Sequence, residues 1–458
     1  MKTKVRKNIN RILAGTMCIL ALLIVMATTT AFATEKKPAE KTLIINANVF
    51  NGKSEQLAEG MSVLVEGNKI TKIAKSIEAP AGAAIIDAGG RTLMPGMIDN
   101  HWHVMLAALP LYALLTARDG YINLIAAKQA EATLMRGFTT VRDVGGNPFS
   151  LKAVIDSGLY VGPRIYASGP AIGQTSGHSD VRAPAAVPAE VDAPLDLAAR
   201  SGHFLIADGV PQVLQRVREA LRMGASHIKI MAGGGTTSPF DPLDSKQYTL
   251  EELKAAVAAA ESWNTYVGVH AYTPAQVQQS IEAGVKVIEH GHMIDEETAI
   301  LMAENGVWLN IQPFLSSEEW MYIDDPFTRA KQEVMFQGTD TAYRLAIKHG
   351  LMITWGSDIL FAPELAEKQG YMVTLLRKWY TPYEALKMVT YDNAQIFALS
   401  GPRDPYPDAE LGVIAEGAYA DLILVDGNPL EDLELVADPH KNFVLIMKGG
   451  KIYKNVVM

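Results

Sequence analysis

Between residues 93 and 399, short apolar runs alternate eight times with longer amphipathic stretches, and this alternation constrains the fold more than any single motif. The strand candidates are Gly96–Asn100, Thr139–Asp143, Arg164–Ser168, His227–Ala232, Tyr266–His270, Val287–His290, Val307–Gln312 and Met352–Trp355. Helical patterns such as Val210–Met223, Leu250–Trp263 and Pro274–Ala283 lie between them. Strands that are apolar along their whole length are covered on both faces, and parallel strands need a crossover that a helix supplies. Eight such units in roughly 300 residues point to an α/β fold, a (β/α)8 TIM barrel. An open doubly wound sheet is the competing arrangement.

In a barrel the C-terminal ends of all eight strands meet at one face, where catalytic sites form. His101 and His103 follow the first strand, Lys229 lies within the fourth, His270 and His290 end the fifth and sixth, and Asp358 follows the eighth. In extended backbone alternate side chains share a face, so His101 and His103 can bind one ion while Trp102 turns to the wall. Taken singly, each of these histidines also suits a core or surface position. Lys229, among Ile228, Ile230 and Met231, is expensive to bury as a lone ammonium. It is either an ion-paired or snorkelling lysine or one converted by carbon dioxide to an anionic carbamate that bridges two metal ions.

The two ends of the chain read differently. Residues 42–92 and 400–458 are rich in β-like runs and turns, such as Gly67-Asn68 and Gly449-Gly450, and are expected to form one small β-sandwich domain beside the barrel at 93–399. The first 33 residues carry Lys2, Lys4, Arg6, Lys7 and Arg11, then an apolar run from Ile12 to Met26, then Ala31-Phe32-Ala33. This is the pattern of a secretory signal peptide, with export to the periplasm or medium as its consequence; an uncleaved anchor is the alternative. Cleavage would remove five basic and no acidic residues, moving the balance from 41 against 50 (−9) to 36 against 50 (−14). An acidic chain is a poor partner for nucleic acid. Stable membrane insertion is not expected after cleavage, and a homo-oligomer is. The only cysteine, Cys18, lies in this leader, so the remaining chain has neither disulfides nor thiolate ligands. Ser179–Asp208, rich in Ala, Pro and Asp, reads as a long loop over the barrel mouth. Gly233-Gly234-Gly235 lacks the Lys-Ser/Thr of a phosphate loop and is read as letting backbone pass close to the site.

Met94-Pro95-Gly96-Met97-Ile98-Asp99-Asn100-His101-Trp102-His103 resembles the first-strand signature of the amidohydrolase superfamily. Ala207-Asp208-Gly209, Gly224-Ala225-Ser226-His227-Ile228-Lys229-Ile230, Val269-His270-Ala271, Ile288-Glu289-His290-Gly291 and Gly356-Ser357-Asp358 resemble its branch of imidazolonepropionase-related and Xaa-Pro or ochratoxin-type peptidases. The likeness runs from about residue 42 to the C-terminus. It implies one metal on His101, His103 and Asp358, a second on His270 and His290, and a carboxylated Lys229 between them. Zinc suits imidazole and carboxylate ligands, with manganese or cobalt as alternatives. It further implies attack by a hydroxide bridging the two ions, with Asp358 moving the proton to the leaving amine. His178 resembles a residue that meets the substrate near its carbonyl or carboxylate. Tyr248 resembles one that contacts a substrate carboxylate, and packing at the helix entry is its alternative. His292 reads as structural, and Arg142-Asp143 as a buried support pair beneath the site.

The expected activity is hydrolysis of amide bonds in small carboxylate-bearing substrates, dipeptides or N-acyl amino acids. A lactonase or cyclic-amide hydrolase and a deaminase are the near alternatives. Deaminases usually hold one metal and need no bridging lysine, and cytoplasmic histidine breakdown fits export poorly. A barrel that binds without catalysis is the alternative from another class.

Overall fold

The structure is a computed structural model that describes residues 40–182, 195–238, 240–316 and 324–457. The expected signal peptide at 1–33 lies outside the described residues, as do 183–194 of the loop read over the mouth. All eight strand candidates form strands: β1 (Met97–Trp102), β2 (Phe138–Asp143), β3 (Arg164–Ala167), β4 (Ile228–Met231), β5 (Val267–Ala271), β6 (Val287–His290), β7 (Trp308–Ile311) and β8 (Ile353–Trp355). Consecutive strands pair in parallel from β1 to β3 and from β4 to β8. Hydrogen bonds beyond the strand ends close the ring: Ser226 N donates to Ala167 O at 2.8 Å, and Asp358 N to His101 O at 2.7 Å.

The intervening helices follow the apolar spacing. Gly209–Met223 buries Val213, Val217, Ala220 and Leu221, a stripe at helical period, and stops at Gly224 in the left-handed conformation (φ 102°). Leu250–Glu261 starts at a reciprocal cap in which the Thr249 hydroxyl and the Glu252 carboxylate each satisfy a free backbone N–H. The loop read at Ser179–Asp208 is more structured than expected where it is described. It holds a short helix, Leu197–Arg200, and a strand, Phe204–Ile206, which pairs in parallel with Ala171–Gly173 and widens the sheet beside β4. Asp196 caps that helix by accepting Ala199 N.

The chain ends meet in one mixed eight-stranded sheet with its own buried cluster, including Ile44, Val63, Leu93, Leu422 and Leu445. Its seam is the antiparallel pairing of Thr92–Pro95 with Leu422–Val425, so the sheet takes in residues just beyond the boundary read at 92. Gly96 N then donates to Asp421 O at 2.8 Å, and the chain enters β1 directly. The terminal sheet thereby fixes the origin of the strand that carries His101.

Candidate active site

His101 lies at the end of β1 and His103 one residue past it, with Trp102 between them buried in the wall. Asp358 follows β8. Gly356 brings these segments together, since a Cβ there would stand 2.4 Å from His101 N. The buried Asp99 ties both segments down: it accepts His101 N and Ser357 N, each at 3.0 Å, and the Ser357 hydroxyl at 2.5 Å. Asp358 itself sits at φ 52°, a strained conformation for a non-glycine residue that the surrounding contacts must hold.

The result is a convergence of acceptors. His103 Nδ1–H donates to Gly145 O at 3.2 Å, which leaves the Nε2 lone pair facing Asp358 Oδ1 at 3.2 Å. His101 Nδ1 stands 3.2 Å from Asn310 Oδ1 and 3.1 Å from Glu289 Oε2, while its Nε2 lies 3.1 Å from the same Asp358 oxygen. Burial raises the Asp358 carboxyl, but the His101 imidazole beside it outweighs this and holds the group well below the usual carboxylate range. Lone pairs that face one another at this distance call for a cation among them. Single donor atoms of His101, His290 and Asp358 lie within 4.8 Å of one another, a spacing that admits a metal ion.

His270 and His290 come from the ends of β5 and β6, with ring centroids 4.4 Å apart. His290 has φ 82°. A regular strand would send Glu289 and His290 to opposite faces, and this turn of the backbone lets both serve the site. His290 Nδ1 is held 2.9 Å from Gln312 Oε1. Burial pushes both imidazoles far below their ordinary range, so they are neutral, as metal ligands must be.

Lys229 is buried within β4, and its Nζ has no hydrogen-bond partner among the described residues. Burial lowers its pKa to about 8 against the opposing pull of Glu289 and Asp358. A neutral amine is the form that adds carbon dioxide, and burial favours that form here. All six residues expected to bind metal line one cavity of ≈490 Å³, and His178 lines it too. Tyr248 does not: it is buried with φ 71° and packs off the cavity wall. His292 stands behind the site, stacked on Tyr272 with its Nε2 at 3.0 Å from Gln312 O, as a structural residue would.

Arg142 and Asp143 are not a pair, because neighbours on a strand point to opposite faces. Asp143 accepts Val104 N at 2.7 Å and so holds the turn after His103. Arg142 instead donates to Glu289 Oε1 at 2.8 Å, to Tyr266 at 2.9 Å and to Asn100 O at 3.1 Å. Glu289 is thus the buried anion between Arg142 and His101, and the sequence reading missed it. A glutamate inside an otherwise apolar strand was the available signal. Asp241, Asn310 and Gln312, which orient His178, His101 and His290, were missed as well.

The sequence pattern of the Amidohydrolase family matches residues 92–457. Ochratoxinase of Aspergillus niger is 35% identical over 388 residues, covering 79% of this chain and 75% of its own. A solved prolidase complexed with N-methylphosphonate-L-proline superposes with a TM-score of 0.82 at 34% identity, over 91% of this chain and 100% of that one. A solved Xaa-Pro dipeptidase with methionine bound in its active site gives 0.78 at 30%, over 91% and 100%. With the acceptor cluster at the barrel mouth, these likenesses place the protein among metal-dependent hydrolases: the chain belongs to the amidohydrolase family.

Proposed function

We propose that the chain is an exported hydrolase of amide bonds in small carboxylate-bearing substrates, dipeptides or N-acyl amino acids, working with two divalent ions, zinc first among them. The observation that carries this reading is Lys229: a buried amine with no hydrogen-bond partner among the described residues, in the wall of a cavity that also holds four histidines and Asp358. A single ion on His101, His103 and Asp358 would leave that amine unexplained, whereas a carbamate between two ions explains it. The likeness to a prolidase and a dipeptidase whose structures hold a proline phosphonate and methionine supports an amino-acid-derived substrate. Export rests on the basic and apolar pattern of the first 33 residues.

His101, His103 and Asp358 would hold one ion, and His270 and His290 the other, with carboxylated Lys229 shared. When bound, the ions supply Lewis acidity toward water and the scissile carbonyl. Asp358 directs Oδ1 at His101 and His103, and its Oδ2, 3.7 Å from His290 Nδ1, would take the proton of the attacking water and return it to the leaving amine. His178 presents its ring to the cavity where the carbonyl or carboxylate of a substrate would lie.

The test is a screen of the zinc-loaded enzyme against dipeptides, N-acyl amino acids and lactones. Turnover of the first two classes is expected. Activity on lactones alone would overturn the assignment.

A further inference from the structure

The cavity carries a built slot around His178, assembled from parts far apart in sequence. On one side the His178 ring stacks on His270, centroids 4.3 Å apart and planes at 22°. On the other lies the backbone of Gly235, where a Cβ would fall 1.9 Å from the ring. No other residue type fits there while His178 keeps its place, so Gly235 is needed for close approach of a side chain. At the edge stands Asp241, fully buried: its Oδ2 accepts His178 Nδ1–H at 3.1 Å and Gly235 N at 2.7 Å. Its other oxygen has no partner among the described residues. Gln247 fixes the base of the slot by accepting His178 N at 2.8 Å, and Lys331 holds the loop from outside by donating to Asp241 O at 2.9 Å.

A carboxylate can only accept. Asp241 therefore commits the hydrogen of His178 to Nδ1 and fixes the ring plane, leaving Nε2 as the ring nitrogen with no hydrogen bond to the protein among the described residues. We propose that Asp241 is the positioning residue for His178, and that Gly235 exists to admit the ring into this clamp. His178 then meets the reacting carbonyl or carboxylate in one tautomer and one orientation. The inference rests on the reading of the cavity as a hydrolase site, and it adds residues that neither metal binding nor family likeness assigns.

Two measurements on the zinc-loaded full chain test it. Nitrogen-15 histidine NMR reads the tautomer without reference to activity: His178 should be protonated at Nδ1, and Asp241→Leu, which offers no acceptor, should abolish that preference. An equal tautomer mixture in the unaltered protein, or no change in the variant, would overturn the clamp. Kinetics on the best substrate of the screen forms the second arm. Asp241→Leu and Gly235→Ala should each lower kcat on the order of 10²-fold, with metal content unchanged. Neither should lower activity further in a His178→Ala background. Losses that multiply in that background would mean that Asp241 acts elsewhere, and the proposal would fall. Should either variant not fold, the tautomer of His178 in the unaltered protein decides alone. A locked tautomer in an enzyme inactive on every amide would uphold the clamp and remove the hydrolase reading, so the two fail separately.

Discussion

His103 Nε2 and Asp358 Oδ1 face one another across 3.2 Å although both are lone-pair acceptors, because His103 Nδ1–H is already given to Gly145 O. Such a contact is unfavourable without a cation, so metal should stabilise the folded chain. Stripping metal with a chelator should lower the Tm by several degrees, and zinc should restore it. At a free metal concentration 100 times the Kd, linkage gives about 2.7 kcal/mol. Scanning calorimetry with and without chelator checks this, and an unchanged Tm would contradict it.

Asp358→Asn keeps the shape of the side chain but loses the carboxylate to which the proposed mechanism gives the proton. Turnover should fall by at least about 10²-fold, with most of the metal retained. Steady-state kinetics beside metal analysis reads both, and normal turnover would remove Asp358 from proton transfer.

Arg142 is the buried counter-charge of Glu289, at 2.8 Å. Removing one partner strands a charge in the barrel, so Arg142→Met should cost on the order of 3–5 kcal/mol. The double variant Arg142→Met, Glu289→Met should recover part of that loss. Urea unfolding of the three variants tests this, and a double variant worse than both singles would refute the pairing.

His203 gives the chain a pH-dependent stability. Burial pushes its pKa down to about 4, against about 6.5 unfolded. Between those values the unfolded chain binds a proton that the folded chain does not. The contribution is therefore whole above pH 6.5 and is lost as the pH falls toward 4, on the order of 3 kcal/mol in total. His203→Gln should flatten the stability curve over that window, and a slope equal to that of the unaltered chain would show that His203 is not its source.

The barrel was legible because its signal is local. Each strand is a short, mostly buried run, and the residues expected to bind metal sit at predictable strand ends, as His270 and His290 do. The network that orients them was not legible. Arg142 and Glu289 meet across 147 residues, and His178 and Asp241 across 63, contacts that only closure of the ring creates. The positive φ values of His290 and Asp358 also escaped, because Gly291 and Gly356 beside them were the natural sites for irregular backbone. Tyr248, expected from resemblance either to contact a substrate carboxylate or to pack at the helix entry, is buried and is not among the residues lining the cavity.

The central claim is a paired-metal site bridged by Lys229, and metal stoichiometry tests it most directly. Zinc per chain should be measured by mass spectrometry in the bicarbonate-supplemented protein and in Lys229→Ala. The expected result is two equivalents in the unaltered chain and fewer in the variant, with activity lost and partly restored by a short carboxylic acid. One equivalent in the unaltered chain, or a Lys229→Ala variant that keeps two and remains active, would contradict it.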